Sequence, residues 1–347
     1  MSVSEARDEW FAQLSHDYSH QVPVWMWRVF GGSSPLFLFE FERFAGNIRL
    51  HGANLTCFNR STMSDRPSFY VSTPIYYSNG VPHIGHAYAT IIAETIARYK
   101  RFCGYDVKFS TGVDENSQKV VEKAEEAKMS PESYADMMAA KHKAVWDGLG
   151  ITYTDFVRTR DPRHFAVVQE MLQRSYDSGD IYLGTYEGKY CVGCEEFKCD
   201  ADLNEAGRCP LHPDREISVL SEQNYFFRLS KYQDRLLALY EARPDFVVPS
   251  HRFREVIEFV RGGLDDFSIS RAGSTFGIPL PFDPEHVTYV WYDALFNYYT
   301  ACTDGQERFF PADLHIVGKE ILRFHAIYWP AMLWSVGLDL PANILAT

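Results

Sequence analysis

A strand, a sharp turn and a long amphipathic helix follow one another between Phe69 and Arg101, and this order restricts the chain to folds that alternate strands with helices. The run Phe69-Tyr70-Val71-Ser72-Thr73 reads as a strand from its β-branched and aromatic content, and Pro74 and then Asn79-Gly80-Val81-Pro82 force a turn. Tyr88, Ile92, Ile96 and Tyr99 then recur at helical spacing, with Arg98, Lys100 and Arg101 in the last turn, where cations suit the helix dipole. Between turn and helix stands His83-Ile84-Gly85-His86. A helix that starts there presents unpaired backbone N–H groups and a positive dipole end to an anion such as a triphosphate. Two imidazoles at its mouth can donate hydrogen bonds to phosphate oxygens whose charge is redistributed in a transition state. The plain alternative is a turn with two solvated histidines.

Val107 to Thr111 reads as a second strand, which makes one βαβ unit of a parallel sheet. Similar alternation returns late, with strand-like runs at Val287-Thr288-Tyr289-Val290-Trp291 and Leu314-His315-Ile316-Val317 and helical spacing at Trp291, Leu295 and Tyr298. The middle differs: a Cys-rich, Gly-rich knuckle precedes a polar helical stretch from Lys231 to Arg243. The chain is therefore expected to be an α/β protein, a Rossmann-like parallel sheet split by an inserted zinc-knuckle domain. The expected divisions are an extension over 1–66, the first half of a nucleotide-binding domain over 67–160, the insertion over 161–286 and the second half over 287–347.

Seven cysteines are too few for a disulfide scaffold in 347 residues, and four of them crowd between Cys191 and Cys209, which points to metal in a reducing compartment. Cys191-x2-Cys194 and Cys209-x2-His212 form two chelating pairs, and three thiolates with one imidazole complete a closed tetrahedral shell for a structural Zn2+. Cys199 has no partner at that spacing and is left out. The net charge of −12 argues against a protein that coats nucleic acid without regard to sequence, since that needs an excess of Lys and Arg. No run reaches the ~20 apolar residues of a membrane span, and Glu5, Asp8 and Glu9 are wrong for a targeting peptide. A soluble, cytoplasmic enzyme is expected.

Four separated blocks carry a family resemblance. The stretch Thr73-Pro74-Ile75-Tyr76-Tyr77-Ser78-Asn79-Gly80-Val81-Pro82-His83 resembles the first ATP motif of class I aminoacyl-tRNA synthetases in its methionyl-tRNA synthetase version. Thr111-Gly112-Val113-Asp114-Glu115-Asn116, Tyr289-Val290-Trp291-Tyr292-Asp293-Ala294 and Gly318-Lys319-Glu320-Ile321-Leu322-Arg323-Phe324-His325 follow in the family's order. The likeness runs from about Pro67 to Thr347. It implies an enzyme that activates L-methionine with ATP and Mg2+ and transfers it to tRNA(Met), as a monomer or as a homodimer through regions beyond this chain. It implies ATP contacts from Asn79, His83, Gly85, His86, Gly318, Lys319 and Glu320, with His83 and His86 catalytic. Asp114 follows an apolar strand at the carboxyl edge of the sheet, where it reads as a helix N-cap or as a ligand for an ammonium, roles that can coexist, and the resemblance implies the second. Tyr77 and Trp291 offer aromatic faces to a thioether, a contact of about 0.3 to 1.5 kcal/mol. By the same resemblance Pro74, Ile75, Ala294, Tyr298 and His325 line the methionine pocket, although Trp291 and Tyr298 alone read as core. The zinc knuckle resembles that of the family's one-zinc members.

The chain also departs from the family. Asn116 stands where many members carry His, and Glu320 where many carry Asp. The family's second ATP motif, Lys-Met-Ser-Lys-Ser, does not appear before Thr347. Lys128-Met129-Ser130 is no substitute, because Ser130-Pro131-Glu132 reads as a helix start. The expectation is an N-terminal fragment of a longer gene, and residues 1–62 are read as sequence upstream of a true start at Met63, in preference to an extension docked through Trp10, Trp25 and Trp27. Two rival functions stand: another enzyme of the HIGH superfamily that forms adenylates, and a zinc-bearing paralogue that binds nucleotide or RNA without turnover.

Overall fold

The computed structural model describes residues 66–347 apart from 194–195, 199–202, 205 and 273–275, so the expectations for residues 1–62 lie outside the described residues. β1 (Ser68–Tyr77) leads through α1 (Ile84–Phe102) to β2 (Asp106–Asp114), and α2 (Gln118–Glu126) and α3 (Pro131–Gly148) connect β2 to β3 (Asp155–Arg158). After α4 (Pro162–Asp177) come β4 (Ile181–Cys191), β5 (Glu196–Lys198) and β6 (Ser218–Phe227). Next are α5 (Gln233–Ala242), β7 (Val247–Val248), α6 (Ser250–Arg261), β8 (Phe267–Ser268), β9 (Ser270–Ala272) and β10 (His286–Thr288). Two short helices, α7 (Val290–Leu295) and α8 (Asn297–Thr300), precede β11 (Leu314–Val317). A π-helical turn over Phe324–Tyr328, then α9 (Trp329–Ser335) and β12 (Asn343–Ala346), complete the fold.

Six strands form a parallel sheet in the order β3-β2-β1-β11-β12-β7, and four form an antiparallel sheet in the order β5-β4-β6-β8. The order grows away from β1 in one direction and away from β11 in the other. The gap between these two strands is therefore the switch point at which such sheets bind ligands. One apolar core, with Val71, Ala93, Phe109 and Trp146, lies between the sheet and α1 and α3. On the other face Val168, Met171 and Leu172 of α4 pack with Val260, Tyr292, Phe296, Trp329 and Met332, so residues from 161–286 and 287–347 share a single core.

Three elements differ from their expected form. β1 continues through Pro74 to Tyr77, because a register shift between Ser72 and Ile75 accommodates the proline in a central strand. α1 starts at Ile84 and buries Ala87, Ala89, Thr90, Ala93, Glu94 and Ala97, whereas Tyr88 and Tyr99 are 53% and 40% exposed. Small side chains on the inner face let this helix lie close to the sheet. The run from Val287 to Trp291 is strand only as far as Thr288, and β10 pairs antiparallel with β9 outside the parallel sheet. Tyr289 then stands at the N-cap of α7, in which every residue but the half-buried Trp291 is buried; a segment buried on nearly every side carries no period that separates strand from helix. Ser130 does cap α3, accepting from Ser133 N with Pro131 in the first turn.

Gly112 sits in the ladder between Ile75 and Val157, two residues before the end of β2. A methyl group there would overlap the Val157 carbonyl oxygen and press on Ile75 Cγ2 at 2.9 Å. Gly112→Ala is expected to destabilise the fold by about 3 kcal/mol, the upper end of ordinary overpacking costs, because strand separation cannot relax locally. Chemical denaturation checks this, and an unchanged midpoint would refute it.

Candidate active site

A cavity of about 500 Å3 opens at the carboxyl edge of the sheet, over the switch point, with room for an amino acid and part of a nucleotide. The ends of β1 and β2 form one wall. Asp114, the last residue of β2, is 3% exposed, and its backbone carbonyl accepts from Ser78 N (3.0 Å) and Ser78 Oγ (2.9 Å), which ties the two strand ends together. Ser117, not Asp114, stands at the N-cap of α2, so the capping alternative falls away. A carboxylate buried at a cavity wall suits a cation, and a primary ammonium fits the space.

The opposite wall comes from α7, α8 and the π-helical turn. Trp291 stacks on Phe324 with ring centroids 3.5 Å apart and planes 8° apart, which fixes the indole. Tyr298 is fully buried, and its hydroxyl meets His325 Nε2 at 2.6 Å. His325 Nδ1 lies 2.9 Å from the Ile321 carbonyl, to which it must donate, so Nε2 accepts the tyrosine proton. Burial pushes the Tyr298 hydroxyl well up and His325 down to about 4, and the pair stays neutral. Pro74, Ile75, Tyr77 and Ala294 also line the cavity. The result is an apolar, polarisable wall facing a carboxylate.

His83 and His86 lie at the mouth, where α1 begins. His83 Nδ1 accepts from Gly85 N (3.1 Å), and His86 Nδ1 accepts from His83 N (3.4 Å), a reciprocal cap. The histidines therefore occupy amide groups that the sequence left open for an anion. With Nδ1 accepting, each neutral ring carries its proton on Nε2. The rings stack at 3.6 Å, and Tyr76 packs on His86 at 4.5 Å. Burial, then the neighbouring His83 and His142, pushes His86 down to about 3; burial also lowers His83.

Gly85, Gly318 and Glu320 line the same cavity. Asn79 and Lys319 do not: both are exposed, and the Asn79 carbonyl faces α3, where it accepts from Tyr134 Oη at 3.4 Å. Sequence reasoning passed over Tyr76, Asn297, Ile321 and Thr347, which also line the cavity. Asn297 held a findable signal, since it lies one residue before Tyr298 in an otherwise apolar helical stripe.

At the far end of β4, Cys191, Cys209 and His212 place their ligand atoms within 4.8 Å of one another. His212 Nδ1 is 3.8 Å from Cys191 Sγ and 3.9 Å from Cys209 Sγ. The edges of a tetrahedral zinc shell are roughly 3.5 to 3.8 Å, so the spacing fits. Both cysteines are buried, and a methyl at Gly193 would overlap the His212 ring, so the turn is shaped around the imidazole. Cys194 and Cys199 lie outside the described residues.

Comparison with known proteins places the fold in a family. The family of class I tRNA synthetases (M) matches residues 69–217 and 213–347. The methionine–tRNA ligase of Synechocystis sp. is 51% identical over 290 residues, 81% of this chain and 54% of that protein. The one from Thermotoga maritima is 50% identical over 285 residues, 80% of this chain and 45% of its own. The structure of Mycobacterium tuberculosis methionyl-tRNA synthetase in complex with methionyl-adenylate superposes with a TM-score of 0.77 at 43% identity, covering 81% of this chain and 57% of that one. The chain spans about half the length of the curated relatives it matches. No helix among the described residues is long and apolar enough to cross a membrane.

The buried imidazoles make the fold sensitive to acid. Burial holds His142 and His325 at about 4 and His86 at about 3, below the ordinary 6.5. The unfolded chain therefore takes up protons first, and stability is full above about pH 6.5 and falls as pH drops toward 4. In thermal unfolding, the loss of melting temperature between about pH 7 and about pH 5 should be smaller in His142→Gln than in the unaltered protein. An equal loss in both would show that this ring is not part of the acid response.

Proposed function

The chain belongs to the class I tRNA synthetases (M), and from that membership we propose that its cavity activates L-methionine with ATP, the first half of methionine ligation to tRNA(Met) in the cytoplasm. One observation carries the reading: a single cavity at the switch point unites the Asp114 carboxylate, the wall of Trp291, Tyr298 and His325, and the His83–His86 pair. Asp114 holds the methionine ammonium. The thioether lies against the aromatic wall, and the substrate carboxylate points toward the nucleotide. A carboxylate oxygen attacks the α-phosphorus in line, the bond to the bridging oxygen breaks, and methionyl-adenylate and pyrophosphate form. His83 and His86 donate from Nε2 to phosphate oxygens as charge moves onto the departing pyrophosphate. Because both rings are neutral, they stabilise this charge without binding a resting anion too strongly. Bound to ATP, Mg2+ would supply counter-charge to the phosphates. No protein nucleophile is required, so catalysis is positioning plus electrostatics.

Gly318 and Glu320 face the ribose in this reading, with Asn79 and Lys319 at the rim. Residues 67–160 and 287–347 act as the two catalytic halves, and 161–286 as the connective unit with the knuckle. Cys191, Cys209 and His212, with Cys194 as the fourth ligand, would hold a structural zinc, and a closed shell of this kind holds its chain segments together without chemistry.

Calorimetry should show methionine binding more tightly than leucine or isoleucine by about 10- to 200-fold, the range a shaped apolar pocket can supply. Asp114→Ala should weaken methionine by roughly 30-fold or more, the effect of removing one partner of a buried charged pair. Equal affinities for the three amino acids would refute the pocket. In methionine-dependent pyrophosphate exchange, His83→Ala or His86→Ala should reduce turnover about 100- to 1,000-fold with little change in ATP affinity. A rate unaffected by either change would refute the role of the two histidines, and no exchange at all would favour a nucleotide-binding paralogue without turnover. Metal analysis tests the knuckle separately: Cys209→Ser should lose zinc and Cys199→Ser should keep it, and the reverse pattern would overturn the ligand set.

A further inference from the structure

Behind the cavity, four side chains form a polar chain that none of the steps above uses. Asp293 is 0% exposed and lies on α7 between Trp291 and Ala294, two residues of the pocket wall. Its Oδ2 accepts from Asn116 Nδ2 at 2.7 Å, and its Oδ1 meets His164 Nε2 at 2.7 Å. His164, also fully buried, reaches Thr300 Oγ1 through Nδ1 at 2.8 Å, so the chain ends on α8. A carboxylate in this position is tolerated only while its oxygens are partnered.

Asn116 is the link to the ammonium site. It lies two residues after Asp114, and its backbone N–H approaches Asp114 Oδ1 at 3.4 Å. Its side-chain amide is constrained at every atom. Nδ2 gives one proton to Asp293 and one to the Thr159 carbonyl (3.2 Å), and Oδ1 accepts from Arg160 Nη1 at 3.4 Å. Such an amide cannot rotate without losing three partners. The segment that carries Asp114 and the short helix that carries Trp291 and Ala294 come from distant parts of the chain, and the Asn116–Asp293 bond joins them directly beneath the cavity.

We infer that Asn116 and Asp293 are a positioning pair for the amino-acid substrate, setting the distance between the carboxylate that holds its ammonium and the wall that holds its side chain. The inference rests on the methionine reading above. A shift of this wall against Asp114 leaves both ends of methionine unable to bind at once, whereas His83 and His86 belong to the β1–α1 junction and are not tied to the pair. Loss of the pair therefore weakens methionine selectively and leaves ATP nearly untouched. A merely structural contact would lower both.

The test exchanges the two groups. Asn116→Asp sets two carboxylates against each other at nearly unchanged volume, and Asn116→Asp/Asp293→Asn restores an amide-to-carboxylate bond with its direction reversed. Calorimetric titration of methionine and of ATP should show methionine affinity about 10-fold or more weaker in the single variant, ATP affinity within about 2-fold, and a substantial regain of methionine affinity in the double variant. Parallel loss of ATP and methionine affinity, with or without loss of folding, would overturn the positioning role. So would a double variant no better than the single one. If the unaltered protein showed no preference for methionine over leucine, the functional reading itself would fail and the inference with it; a clear preference in the unaltered protein with a methionine affinity that Asn116→Asp leaves unchanged would sink the inference alone.

Discussion

The parallel ladder in which β1 runs between β2 and β11 is the constraint on which the rest of this molecule depends. It brings the carboxyl ends of three strands, far apart in sequence, to one edge and leaves a gap between the helices that follow them. Buried side-chain bonds keep that ladder in register. Tyr70 Oη lies 2.8 Å from Ser110 Oγ and donates to the Tyr298 carbonyl at 3.1 Å, while Ser72 Oγ meets His315 Nδ1 at 2.6 Å. Trp329 Nε1 donates to the other nitrogen of His315, so one buried imidazole joins two strands and α9. The Tyr70 bond to its carbonyl holds Tyr298 in the cavity wall, and the Tyr298 hydroxyl in turn holds His325.

Burial governs the chemistry of the site as much as its shape. The imidazoles of His86, His142, His315 and His325 are all driven below the ordinary range, chiefly by loss of water. They therefore work as neutral donors and acceptors with tautomers set by their neighbours. His142, for example, lies 3.0 Å from the Gly80 carbonyl through Nε2 and so steadies the turn before His83 from below. The formal charge at the cavity wall comes instead from two carboxylates, the buried Asp114 and the exposed Glu320, with Asp114 set against the apolar surface. This separation of charge from apolar wall is what lets one cavity orient an amino acid end to end.

The sequence was most legible where local chemistry and tertiary structure agree. Strands β1, β2 and β11, the helix after the His83 turn and the cap at Ser130 follow from residue type and spacing. Two pairs of Cys and His residues at chelating spacing were equally plain, and three of the four converge among those described. Legibility failed at segments buried on all sides. Val287 to Trp291 reads as one strand but is not, and of the α1 stripe Ile92 and Ile96 pack on the core while Tyr88 and Tyr99 lie exposed, because hydrophobicity reports the desire for burial and not the partner that provides it.

Residue by residue, the chain alone determined the family blocks, the strand–turn–helix at His83 and the presence of Asp114 at a strand end. What tertiary structure alone decided is how these pieces face one another. Nothing in the spacing of Asn116, His164 and Asp293 announces that they meet, and nothing in the His83-Ile84-Gly85-His86 tetrapeptide announces that its imidazoles cap their own helix. The physical reason is range: propensities and turn chemistry act over a few residues, whereas the partner of a buried polar group is set by which strands lie side by side.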